Sequence, residues 1–300
     1  MPRRPVPLED RSTRLLEARV RAFFHHLPRA VAGDEESVHQ MRVAGRRVRV
    51  ALPLLAKKPT GGPVRRARRT LRSLIRAAAS SRDLDVCLGL LDAAIPSRSA
   101  ASRETRSFRR RLVAARRRGR RRMQDALLDR GLAGLRRDLR VVLRRRGEEL
   151  PTVLGRLDAL QDAGGAEILT LLREVGDRFD PEALHHLRTR VRRLRYAAEV
   201  DAEIRDVPDK AAKRLKALQE RLGAIHDAYV LATWLGRQAA GAEQRGQVEP
   251  AEEARRLEAS FLEESRARHR HHLGEDPTGV VLAALARMGH PEPMPLRLAQ

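Results

Sequence analysis

The chain of 300 residues has one cysteine, Cys87, which excludes a disulfide framework and a thiolate metal centre and fits a reducing compartment. Aromatic residues make up 3%, namely Trp234, Tyr196, Tyr229 and five Phe, too few for a module that stacks bases on aromatic platforms. No apolar run approaches the roughly 18 residues of a membrane span. The start Met1-Pro2-Arg3-Arg4-Pro5 is basic, but no apolar signal core follows it. No membrane association is expected, and the cytoplasm is the expected location. Catalytic signatures are also missing: there is no P-loop, no Gly-x-Ser-x-Gly, no nucleotide-binding glycine fingerprint and no Glu-x-Glu-x-Lys. Cys87, between Val86 and Leu88, reads as a buried side chain rather than a nucleophile. No metal, cofactor or enzymatic activity is expected.

What the chain has in excess is positive charge. Sixty-two Lys and Arg face 39 Asp and Glu, a net charge of +23, and only five of the cations are Lys. Residues 1–150 carry 39 cations and 15 acids, whereas 151–300 carry 23 and 24, so the first half holds the whole excess. The Arg preference follows from a GC-rich genome or from the match of a guanidinium fork to phosphate oxygens. The total charge is harder to dismiss, because uncompensated cations repel one another in a compact fold. An anionic partner is expected.

Apolar residues recur at three and four between Pro and Gly breaks, the pattern of an all-α protein. Leu16, Val20, Phe23, Phe24, Leu27 and Val31 mark a first helix ending at Gly33. A second begins at Asp34-Glu35-Glu36-Ser37, with Pro53 as a kink or early end. Further helices are predicted over 63–95, 98–130, 131–147, 151–177, 181–206, 208–243, 249–274 and 277–289.

An internal repeat organises these helices. Val38 to Arg49 aligns with Leu184 to Arg195 at an offset of 146, pairing His39 with His185, Arg42 with Arg188, Arg46 with Arg192, Arg47 with Arg193 and Arg49 with Arg195. At an offset of 144, Arg66, Arg69 and Arg72 meet Lys210, Lys213 and Lys216, and Asp83 meets Asp227. Two helical halves, 8–147 and 151–290, are expected, with 1–7 and 291–300 as flexible termini.

In each half the cations form stripes. His39, Arg42, Arg46 and Arg49 share one helix face about 100° from the apolar stripe Val38, Met41, Val48 and Leu52. His185, Arg188, Arg192 and Arg195 repeat this beside Leu184, Leu187, Val191, Leu194 and Ala198. Arg65, Arg69, Arg72 and Arg76 form another row, echoed by Lys213 and Lys216. Such a row is either a solvated face or an anion site. A solvated face mixes acids among its bases, yet neither 39–58 nor 57–82 contains an Asp or Glu. The tract Arg103–Arg122, with Arg109, Arg116 and Arg120, holds eleven Arg and one Glu and is taken as auxiliary. The run His269, His271 and His272 reads as a solvated helix end rather than a metal site.

Together with Ser81-Arg82-Asp83-Leu84-Asp85-Val86 and its counterpart Ile225-His226-Asp227-Ala228-Tyr229-Val230, the paired His-x-x-Arg-x-x-x-Arg-Arg segments resemble the CHAD family, the conserved histidine α-helical domain, over roughly residues 8–290. The resemblance implies two pseudo-symmetric helical bundles enclosing a basic cavity or channel that binds inorganic polyphosphate, with targeting to polyphosphate granules. Carried over residue by residue, His39, Arg42, Arg46 and Arg49 match one motif helix and His185, Arg188, Arg192 and Arg195 the other. The sequence departs from the pattern at Tyr229, which stands where the first copy has Asp85, and in its acid-rich later helices. Many relatives carry a fused tunnel-type triphosphatase; with no Glu-x-Glu-x-Lys in these residues, that activity is not expected here. The residues by themselves leave two further readings. One is non-specific binding of nucleic-acid phosphates. The other is phosphoryl transfer, which needs carboxylates near the basic rows, where few are expected.

Overall fold

A computed structural model describes residues 8–95, 102–129, 131–144 and 150–288. The termini expected to be flexible, most of the linker between the halves and the side chains of Ser81 and Arg82 fall outside the described residues. Among the described residues the protein is all-α, with eleven helices and no strand. They are α1 (Leu8–Val31), α2 (Glu35–Leu55), α3 (Gly62–Ala77), α4 (Ala79–Ala93), α5 (Arg103–Asp129), α6 (Leu132–Arg144), α7 (Leu150–Val175), α8 (Pro181–Arg205), α9 (Lys210–Glu243), α10 (Val248–Gly274) and α11 (Pro277–Leu285).

Local chemistry sets several boundaries where the sequence places them. Gly33 adopts φ +89°, a left-handed conformation that ends α1 without a Cβ clash. One residue later the Asp34 carboxylate accepts a 2.8 Å hydrogen bond from the Ser37 amide, capping α2, whose first turn carries Glu35 and Glu36. Pro53 lies near the end of α2, which stops at Leu55. Asp180 caps α8 through the Glu182 and Ala183 amides, with Pro181 in the first turn.

One boundary departs from the sequence reading. The single helix expected over 63–95 is two, broken at Ala78, whose amide donates to Leu74 O at 3.1 Å. Neither Pro nor Gly marks the break. Ala78 is fully buried, so packing of the two segments against different neighbours turns the chain there.

The helices bury three apolar clusters. The first gathers α1, α2, α3 and α6 around Phe23, Met41, Leu52 and Leu71, and takes in Val153 and Leu157 of α7 and Ala197, Val200 and Ile204 of α8. The second lies among α7, α8, α9 and α11, with Leu187, Val191 and Leu194. The third joins Cys87 and Leu91 of α4 and Phe108 and Leu112 of α5 to Leu231, Leu235 and Phe261 of α9 and α10. The expected stripes Val38, Met41, Val48, Leu52 and Leu184, Leu187, Val191, Leu194, Ala198 are all buried. Between these packed faces Arg188, Arg192 and Arg195 of α8 share one side, whereas Arg190 and Arg193 lie on another, beside α7.

Candidate functional site: a cationic cavity between α2, α8 and α9

Residues of α2, α4, α8 and α9 surround a cavity of about 1160 Å³. From α2 come His39, Arg42, Arg46 and Arg47, and from α8 Arg188, Arg192 and Arg195. Arg42 and Arg195 are each only 7% exposed, so their guanidinium groups are fixed in the wall rather than swinging in solvent. Lys213 and Lys216 of α9 also line it, but they are largely exposed, and each pairs with an acid of its own helix region, Asp209 at 2.8 Å and Glu220 at 3.5 Å.

At the cationic centre, guanidinium groups from α2 and α8 face one another. Burial lowers the Arg46 pKa, and neighbouring Arg188 lowers it further, against the opposing pull of Tyr196 and Asp83. Arg192 is depressed more strongly, to about 9, again by burial first and then by Arg46 and Arg188. Both remain charged at neutral pH. Neither has an ion pair among the described residues. Arg188 has one long contact, 3.9 Å to Asp227, and its Nε is buried without a hydrogen-bond partner. Gly223 of α9 faces Arg188 here, and a Cβ in its place would make ordinary van der Waals contact with the guanidinium at 3.9 Å.

Tyr196 is 2% exposed and braces this wall, with Arg195 stacked 4.4 Å over its ring and Arg47 at 6.0 Å. Arg47 reaches Glu199 through Nε at 2.7 Å and Nη2 at 3.1 Å, which raises its pKa. Arg19 of α1, 7% exposed, comes to the same carboxylate at 3.4 Å and to Glu203 at 2.6 Å. Arg195 adds a 3.6 Å contact to Glu199.

Carboxylates are thus more numerous here than the sequence led one to expect. Asp83, Glu199, Glu203, Asp206, Asp209, Glu220 and Asp227 all line the cavity. The acid-free rows are acid-free only along the chain, and folding brings in acids from the C-terminal half of α8 and from α4 and α9. Along α8 the charges segregate: Arg188 and Arg192 come first, and Glu199, Glu203 and Asp206 follow.

The remaining expected residues are distributed differently. Arg49 does not line the cavity. It sits beside Arg68, Arg72 and Arg193, and burial followed by these neighbours lowers its pKa to about 10. Arg65, Arg69, Arg72 and Arg76 are exposed on α3, outside the cavity lining. His185 is exposed outside the cavity lining, with its ring 4.9 Å from that of His226. Burial and then Arg188 lower the pKa of both histidines, that of His226 to about 4, so both are neutral at pH 7. Arg109, Arg116 and Arg120 of α5 are engaged in ion pairs with Asp92, Asp85 and Glu35. His269 and His272 are buried rather than solvated, and no metal-binding cluster occurs among the described residues.

Sequence reasoning passed over Arg47, Arg68, Arg193 and Tyr196. The repeat did contain a signal for two of them, since Arg47 and Arg193 align. Tyr196 carried none beyond being one of two tyrosines.

The CHAD domain family model matches residues 14–236. The chain belongs to the CHAD family. The CHAD domain from the plant Ricinus communis has a similar crystal structure, with a TM-score of 0.63 at 20% identity, covering 94% of this chain and 93% of that one. PptA from Streptomyces chartreusis is similar at a TM-score of 0.69 and 18% identity, covering 90% of this chain and all of that one. At these identities the likeness is one of fold. Comparison with curated proteins gives no match. Within the described part of this CHAD domain, no helix is long and apolar enough to cross a membrane.

Proposed function

We propose that this CHAD domain binds inorganic polyphosphate in the cavity between α2, α8 and α9, without turning it over, and that the binding serves to place the protein at polyphosphate granules. On this reading the two repeat halves act as a pseudo-symmetric pair, each presenting one arginine helix to the chain. The observation that carries the reading is the meeting of Arg46 and Arg192, two half-buried like charges from opposite helices, neither of them in an ion pair among the described residues. Repulsion of this kind in a partly desolvated site is costly unless an anion relieves it.

Arg46, Arg192, Arg188 and Arg42 would take successive phosphates, with His39, Lys213 and Lys216 nearer the solvent. Each charge-assisted contact is worth about 1.5–3 kcal/mol before ordering and desolvation are subtracted. A binding role without chemistry is supported by the state of the carboxylates. Glu199 is occupied by Arg19, Arg47 and Arg195, and Asp227 lies against Arg188. Mg²⁺-assisted transfer needs acids free of cations, and of the lining acids Asp83 alone has no ion pair among the described residues.

The test is a calorimetric titration with polyphosphates of defined length, with pyrophosphate and duplex DNA as comparators, at two salt concentrations. Tight, length-dependent binding to polyphosphate with weak DNA binding is expected. Equal binding of all long polyanions that salt abolishes, or phosphate release on incubation with Mg²⁺, would overturn the reading.

A further inference from the structure

The cavity uses little of the longest basic tract of the chain, which forms α5. The structure divides that helix into two faces of opposite character. On the inner face, Arg109 donates to Asp92 at 2.6 and 3.0 Å, Arg116 pairs with Asp85 and Glu35, and Arg120 pairs with Glu35 and lies 3.6 Å from Asp85. These arginines fasten α5 to α4 and to the start of α2. On the outer face, Arg110, Arg117, Arg118 and Arg121 are exposed, and none is in an ion pair among the described residues. With Val113, Ala114 and the Asp92-bound Arg109 they line a shallow groove of about 480 Å³ along the helix. From Arg110 to Arg121 the row is roughly 16 Å long.

We infer that this outer ridge is a second docking site for linear polyphosphate, so that one protein molecule holds two chain segments. The inference rests on the cavity reading above and extends it. Charge complementarity and the form of the groove favour a thin, linear polyanion. The groove offers arginine and small apolar side chains only, with no aromatic ring on which the bases of a single-stranded nucleic acid could stack. The exposed arginines follow one another along a single helix, a row that a linear chain of phosphates can track from end to end.

The two sites are separate. Asp83 of α4 faces the cavity while Asp85, two residues on, pairs with α5, so α4 stands between them. A protein with two such sites cross-links long chains, and each bound segment raises the effective concentration of the other site for the same chain.

The test compares the intact chain with Arg110→Glu/Arg117→Glu/Arg121→Glu, with the corresponding Gln triple as a milder variant, and with Arg46→Gln/Arg192→Gln. Circular dichroism checks that each variant is folded. Short-chain polyphosphate is titrated by calorimetry, long-chain polyphosphate is mixed with protein and followed by light scattering, and duplex DNA is titrated in parallel. The intact chain is expected to bind two short chains and to scatter with long ones. The ridge variants are expected to bind one short chain at unchanged cavity affinity, with scattering reduced about tenfold. Their salt slope should be shallower by about 2, for three lost contacts. If a folded ridge variant keeps both the second short chain and the scattering, the ridge inference falls while the cavity reading stands. If it loses DNA binding only, the ridge is a nucleic-acid surface and the inference is wrong. If the intact chain binds no polyphosphate, both readings fail together.

Discussion

Arg47 on α2 and Glu199 on α8 form a two-pronged ion pair, at 2.7 and 3.1 Å, in the wall of the cationic cavity. It spans 152 residues of sequence and ties the arginine helix of one repeat to that of the other. The same carboxylate takes Arg19 and Arg195, so one acid holds three arginines of this wall.

Replacing Glu199 with Gln should therefore have two opposite effects. Stability should fall by about 1–3 kcal/mol, since buried Arg19 loses one charged partner but keeps Glu203 at 2.6 Å. Polyphosphate affinity should rise, because Arg47 and Arg195 are released toward the cavity. Thermal unfolding and calorimetric titration of the same preparation read the two effects.

The double change Arg46→Gln/Arg192→Gln should behave in reverse. Removing two half-buried like charges relieves repulsion, so the free protein should unfold at the same or a higher temperature. Affinity should drop by about tenfold to a hundredfold for each lost charge-assisted contact. Lower stability together with unchanged affinity would remove these residues from the site.

Protons should follow the ligand. His226 is held near a pKa of 4 by burial, Arg188, His185 and Arg192. A bound polyanion cancels the repulsion from the arginines and moves the group back toward its ordinary value of about 6.5. Binding between pH 4 and 6.5 should then take up protons, and the apparent enthalpy should change with the ionisation enthalpy of the buffer. At pH 8 no such dependence is expected.

Acid should also weaken the fold itself. His272 is buried and its pKa is lowered to about 4, first by desolvation and then by Arg221. A histidine depressed in the folded state contributes stability above its unfolded pKa, about 6.5, and loses that contribution as the pH falls to about 4. Denaturant midpoints measured across this window should decline, and His272→Gln should flatten the decline.

Gly45 tests the packing that sets the cavity wall. A Cβ at this position would lie 3.2 Å from Ile75 and 3.3 Å from Phe23, where α1, α2 and α3 close on one another. Gly45→Val should cost about 1–3 kcal/mol by overpacking, read as a lowered denaturant midpoint with a reduced affinity for polyphosphate.

Much of this architecture is written locally. The apolar spacing of Val38, Met41, Val48 and Leu52, the Asp34 cap and the left-handed Gly33 determine α2 and its start, because caps and one-sided burial act within a few turns of chain. The repeat likewise marks the two arginine helices and the cations they carry. Other features depend on which helices meet. The break at Ala78 has no local signal, since Ala77, Ala78 and Ala79 are strong helix formers that by themselves would continue the helix. The acids of the cavity come from positions distant along the chain, and only packing brings Glu199 to Arg47 and Asp227 to Arg188. Packing also separates the paired arginines of α5 from the free ones, although the sequence presents them as one uniform tract. The sequence by itself determined the helices, their buried faces and the number of positive charges. The tertiary structure decided which charges are neutralised and which face one another, because ion pairing depends on distance in space, which spacing along the chain does not fix.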